Sequence, residues 1–99
     1  MSDQQKVVMG KWLARDCRLL ILDEPTRGVD VGAKAEIYRI VEELVASGKA
    51  VLLISSELPE LLRLSTRVLV ISAGRLVAEY SRQEATAEKI LASALAGLS

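Results

Sequence analysis

The chain has no histidine, a single cysteine and no excess of either charge, and each of these shortages removes a class of function. Without histidine, Ser-His-Asp catalysis and the usual zinc ligand sets are excluded. One cysteine, Cys17, forbids an internal disulfide and suits a reducing compartment. It precedes an aliphatic run with no second cysteine near it, and reads as a small packing residue. Thirteen basic side chains cancel thirteen acidic ones, which leaves no electrostatic footprint for nucleic acid or an anionic membrane. No apolar run approaches the roughly 18 residues needed to cross a bilayer, and the first residues lack a signal-peptide pattern. The expectation is a soluble, intracellular chain whose 99 residues fill one small domain at most.

The most informative stretch is Leu19-Leu20-Ile21-Leu22-Asp23-Glu24-Pro25. Four uncharged aliphatic residues read as a strand buried on both faces. Two adjacent carboxylates stand at its C-terminal end, where Pro25 stops the pairing. In an open parallel sheet that end is where ligands bind. One carboxylate there suits a metal, directly or through water, and the next suits orienting or deprotonating an attacking water. Acidic residues also end strands simply because loops are wet, so the run alone leaves both readings open.

Along the rest of the chain, apolar helices alternate with apolar strands. Residues 4–15 read as a helix with Val8, Met9, Trp12 and Leu13 on one face, and Lys6, Lys11 and Arg15 solvating the other. Asp30 or a neighbour opens a second helix, where Ile37, Ile40, Val41, Leu44 and Val45 form a stripe and Gly48 supplies the stop. Val51-Leu52-Leu53-Ile54 and Val68-Leu69-Val70-Ile71 read as two more buried strands. A short helix starts near Glu57, with Pro59 in its first turn and Ser55 or Ser56 as candidate caps. Ser72-Ala73-Gly74-Arg75 reads as a hairpin turn into an edge strand over residues 76–80. Thr86 is a candidate N-cap with Glu88 in the first turn, ahead of a helix burying Ile90, Leu91, Ala94 and Leu95. This alternation predicts an α/β fold whose parallel sheet is covered on both sides. No repeat, low-complexity tract or linker interrupts it.

The stretch continues through Thr26-Arg27-Gly28-Val29-Asp30, and the segment as a whole resembles the Walker B motif and D-loop of ABC-transporter ATPases. More closely, the chain resembles the C-terminal part of the second nucleotide-binding domain in the tandem ATPases of bacterial sugar importers. The likeness runs from Gln4-Gln5-Lys6-Val7-Val8 and Lys11-Trp12-Leu13-Ala14-Arg15 to Ile54-Ser55-Ser56-Glu57-Leu58-Pro59-Glu60 and Gly74-Arg75-Leu76. It implies that Asp23 holds Mg2+ through water and that Glu24 polarises the water attacking ATP. Asp30 matches the aspartate that communicates across the dimer interface, a role compatible with helix capping. Ser56 falls where active sites of this family carry a histidine touching the γ-phosphate. A hydroxyl is shorter and cannot become a cation, so the resemblance implies weak hydrolysis here. The implied partners are the transporter's membrane subunits and a second nucleotide-binding domain, with no nucleic acid. The implied location is the cytoplasm, peripheral on the inner face of the membrane.

No G-x-x-x-x-G-K-[ST] occurs, so the sequence holds no Walker A loop to cradle phosphates. Met1, Ser2 and Asp3 stand where the family's signature motif has Gly-Gly-Asn, leaving only its tail at Gln4, Gln5 and Lys6. Residues 1–99 are therefore expected to form the C-terminal portion of one nucleotide-binding domain, a partial P-loop NTPase fold that is inactive alone. A non-catalytic module regulating such an ATPase or its transporter is the alternative. In the family the Walker A strand lies between the strands matching 51–54 and 68–71. Its absence leaves a gap or forces those edges together, and unpaired buried backbone makes a marginal domain.

Overall fold

The computed structural model describes residues 18–98, so the helix expected over 4–15, Trp12, Cys17 and the signature tail lie outside the described residues. The chain divides into two compact units, Met1–Ser56 and Glu57–Ser99. The expected α/β class holds, with parallel pairing in the first unit and a C-terminal hairpin and helix in the second.

In the first unit, strand β1 (Leu19–Asp23) leads to helix α1 (Val31–Ala46), which returns to strand β2 (Ala50–Ile54). The two strands pair in parallel, with Leu19 opposite Ala50 and Asp23 opposite Ile54. A parallel pair needs a crossover, and the apolar stripe of α1 provides one that packs. Ile40 and Leu44 of α1 are buried against Leu20 and Val51. Each such burial contributes about 1.5–3 kcal/mol. Asp30 caps the helix through its side chain, which accepts from Ala33 N at 2.8 Å. At the other end Gly48, at φ +96°, turns the chain. Gly48 N donates to Val45 O and Lys49 N to Leu44 O, both at 3.0 Å. Those two bonds satisfy carbonyls that the helix end would otherwise orphan.

The second unit opens with helix α2 (Leu58–Leu64), then strands β3 (Arg67–Ser72) and β4 (Arg75–Ser81), and ends in helix α3 (Ala87–Ala96). β3 and β4 pair antiparallel across a two-residue turn in which Ala73 (φ +52°) and Gly74 (φ +76°) are both left-handed. That geometry matches the twist of the flanking strands. Val68, Val70 and Ile90 form the core, joined by Leu58, Leu62, Val77 and Tyr80. Thr86 caps α3, accepting from Lys89 N at 3.1 Å.

Three expectations are corrected. The aliphatic strands are buried on one face only: Leu19 (55% exposed), Ile21 (58%), Leu52 (46%) and Ile54 (46%) lie open. A helix covers the face of Leu20 and Val51, and successive strand residues point to opposite faces. Leu69 and Ile71 of β3 are likewise exposed while Val68 and Val70 are buried. Leu91 and Leu95 of α3 and Val45 of α1 are also exposed, because each helix packs along a narrower stripe than its sequence offers. Neither Ser55 nor Ser56 caps α2, whose N-cap is Glu57 with no side-chain cap bond. Among the described residues there are two two-stranded sheets, one of β1 and β2 and one of β3 and β4.

Candidate functional site

β1 delivers Asp23 and Glu24 to the C-terminal end of the parallel pair. Asp23 is the last strand residue, exposed on the same open face as Leu19 and Ile21, opposite Ile54. Glu24 departs from the strand with φ +48°, a left-handed conformation that its Cβ disfavours by roughly 1–2 kcal/mol. Its N–H nevertheless donates to Ile54 O at 2.7 Å, so the bend begins while the ladder still holds it. Non-glycine residues in this region persist where surrounding structure fixes them, and such positions cluster at functional sites.

The turn after Glu24 does the fixing. Arg27 N donates to Glu24 O and Val29 N to Thr26 O, each at 3.2 Å. Thr26, within this turn, is buried (2% exposed). Gly28 (φ +73°) reverses the chain toward Asp30. Sequence reasoning did not single out Thr26; the available signal was a small β-branched residue between Pro25 and Gly28. Asp30 opens α1, with its carboxylate occupied by the Ala33 N–H.

Ser56 is exposed and lies two residues beyond Ile54. The parallel register thus brings the ends of both strands together, and with them the segments carrying Asp23, Glu24 and Ser56. Asp30 is the N-cap of α1. Among the described residues, no group of three or more His, Cys, Asp or Glu side chains converges as a metal cage. Mg2+ in nucleotide sites needs less, typically one or two carboxylates completed by water and phosphate oxygens. Asp23 and Glu24 fit that share of a site.

Comparison with known proteins sets this arrangement in a family. No family model matches the chain. The xylose import ATP-binding protein XylG of Geobacillus kaustophilus is 57% identical over 96 residues, covering 97% of this chain and 19% of that protein. The ribose import ATP-binding protein RbsA 1 of Streptomyces avermitilis is 57% identical over 94 residues, 95% of this chain and 18% of that protein. Among solved structures, an ATP-binding cassette of an ABC transporter superposes with a TM-score of 0.73 at 27% identity, over 94% of this chain and 39% of that one. The chain matches a C-terminal part of a sugar-import ABC ATP-binding protein. It therefore spans 19% of the length of such a relative. ATP and Mg2+ are the ligands that the ABC ATPase family implies in an intact domain. Among the described residues no helix is long and apolar enough to cross a membrane.

Proposed function

We propose that the chain contributes the metal-holding and water-activating part of an ATP site in a sugar-import ABC ATPase. Asp23 holds Mg2+ through water, and Glu24 orients the attacking water and accepts its proton. The ion, when bound with ATP, neutralises charge on the phosphate oxygens. Asp30 fixes the start of α1 and signals to a second nucleotide-binding domain. Ser56 donates a hydrogen bond toward the γ-phosphate but adds no positive charge, so turnover here is slow. A separate segment supplies the phosphate cradle, since this sequence has no Walker A loop. The assembled protein works on the cytoplasmic face of the membrane with the transporter's membrane subunits, and hydrolysis drives sugar import.

The observation that carries this reading is the register of β1 on β2. Asp23 lies opposite Ile54, and Glu24 N donates to Ile54 O at 2.7 Å, so the carboxylates and the Ser55-Ser56 segment leave the same end of the sheet. A chimera tests it: residues 4–99 replace the matching stretch of the Geobacillus xylose import protein, and Mg-ATP affinity is measured. Asp23→Asn is expected to weaken Mg-ATP binding by roughly tenfold or more, as loss of a metal-orienting group does. Unchanged affinity would remove Asp23 from the metal site.

A further inference from the structure

Thr26 is a polar residue buried more deeply than the apolar core of its own unit. It is 2% exposed, against 7% for Ile40, 5% for Val41 and 7% for Leu44. Valine has nearly the same shape and would fill such a place with no polar atom to satisfy. A buried hydroxyl, in contrast, is costly unless it is hydrogen-bonded. Thr26 has a partner beyond the Val29 amide that its carbonyl accepts.

Two turns meet at this residue. In the first, Arg27 N donates to Glu24 O at 3.2 Å, and Pro25 stands second, where its ring presets the backbone. In the second, Val29 N donates to Thr26 O at 3.2 Å, and Gly28 (φ +73°) completes the reversal. On the strand side, Glu24 N donates to Ile54 O at 2.7 Å. Both peptide groups that flank the Glu24 Cα are therefore tethered, the N–H to β2 and the C=O to the first turn. Glu24 needs both tethers, because φ +48° is a conformation that its Cβ resists. The tether to β2 belongs to a regular ladder, whereas the tether to the turn is only as firm as the turn itself.

We propose that Thr26 is a positioning residue, whose buried hydroxyl anchors the turn that keeps Glu24 left-handed and its carboxylate set for the attacking water. This inference rests on the water-activating role proposed for Glu24. Thr26 acts through Glu24 and does no chemistry of its own. A threonine that merely filled space would depend on its shape and not on its hydroxyl, so the two cases separate by substitution.

The test is single-turnover hydrolysis in the same chimera, with Mg-ATP affinity measured beside it. Thr26→Val keeps the shape and removes the hydroxyl. It should lower the rate roughly tenfold or more with affinity retained, as a small misplacement of a reacting group does. Thr26→Ser keeps the hydroxyl and should keep most of the rate. In a Glu24→Gln protein, Thr26→Val should lower the rate no further, because both changes strike one function. In the unfused chain, the Glu24 amide should exchange roughly tenfold faster in Thr26→Val. The Ala50 amide, which donates to Arg18 O at the other end of the strand pair, should stay as it was. If Thr26→Val does not fold, Thr26→Ala, which also lacks the hydroxyl, takes its place beside Thr26→Ser. A Thr26→Val protein that hydrolyses at the unaltered rate while Glu24→Gln is slow overturns the proposal and leaves the role of Glu24 standing. So does a Thr26→Ser protein as slow as Thr26→Val. If Glu24→Gln leaves the rate unchanged, the reading of Glu24 falls, and the exchange of its amide alone decides whether Thr26 holds it.

Discussion

Two non-glycine residues, Ala73 and Glu24, hold left-handed backbone, and the proposed function assigns a role to the side chain of only one of them. Ala73 (φ +52°) sits in the hairpin turn, where the geometry is needed and its Cβ is not. Ala73→Gly should raise stability by roughly 0.5–1 kcal/mol, read from the urea midpoint at constant slope. Glu24 (φ +48°) is strained in the same sense. Glu24→Gly should stabilise the chain by a similar amount while removing the carboxylate to which catalysis is assigned. A stability gain with loss of function is the mark of a side chain kept for chemistry. Gly97 makes the opposite case. A Cβ there would lie 2.7 Å from Ser72 Cβ and 3.0 Å from Val77 Cγ1, so Gly97→Ala should cost about 1–3 kcal/mol by overpacking.

Most elements were legible from their ends. Asp30 and Thr86 announce helices α1 and α3, Gly48 stops α1, and Ala73-Gly74 turns the hairpin. Which face each strand buries was not legible, because a run such as Leu19–Leu22 has no polar alternation to tell one side from the other. The same uniformity hid the exposure of Leu91 and Leu95 on α3. Ser56 is a cap candidate by residue type, yet the cap position falls one residue later, at Glu57. A reciprocal pair went unread: Ser81 N donates to Glu84 Oε1 at 3.1 Å and Glu84 N to Ser81 Oγ at 3.3 Å, joining β4 to the turn before α3. Side-chain and then backbone hydrogen bonding from Ser81 holds the Glu84 carboxyl below its ordinary value. A depressed carboxyl stabilises the fold above its unfolded pKa and loses that contribution as pH falls through the folded one. Glu84→Gln should therefore narrow the stability difference between neutral and acid pH, measured by thermal unfolding, with little change below the carboxylate range. A wider difference in the variant would contradict this sign.

At the scale of the molecule, the proposed ATP site takes only its carboxylates from this chain. Its carboxylates come from one strand end, a placement legible in the order Asp23-Glu24-Pro25. The bend that aims Glu24 was not, since glutamate is no signal for a left-handed residue. Phosphates need a cradle of backbone N–H groups or a lysine, and two adjacent carboxylates alone repel a polyanion. The isolated chain should accordingly show no saturable Mg-ATP binding at micromolar nucleotide and no phosphate release. The central claim is that Glu24 activates the water, and single-turnover ATP hydrolysis in the chimera tests it most directly. Ser56→His is introduced first to raise the slow rate at this site, and Glu24→Gln is then added. A neutral amide still holds the water but cannot accept its proton, so hydrolysis should fall by about 10²–10⁴-fold with Mg-ATP affinity retained. Hydrolysis that persists unchanged in the Glu24→Gln protein would show that another group takes the proton.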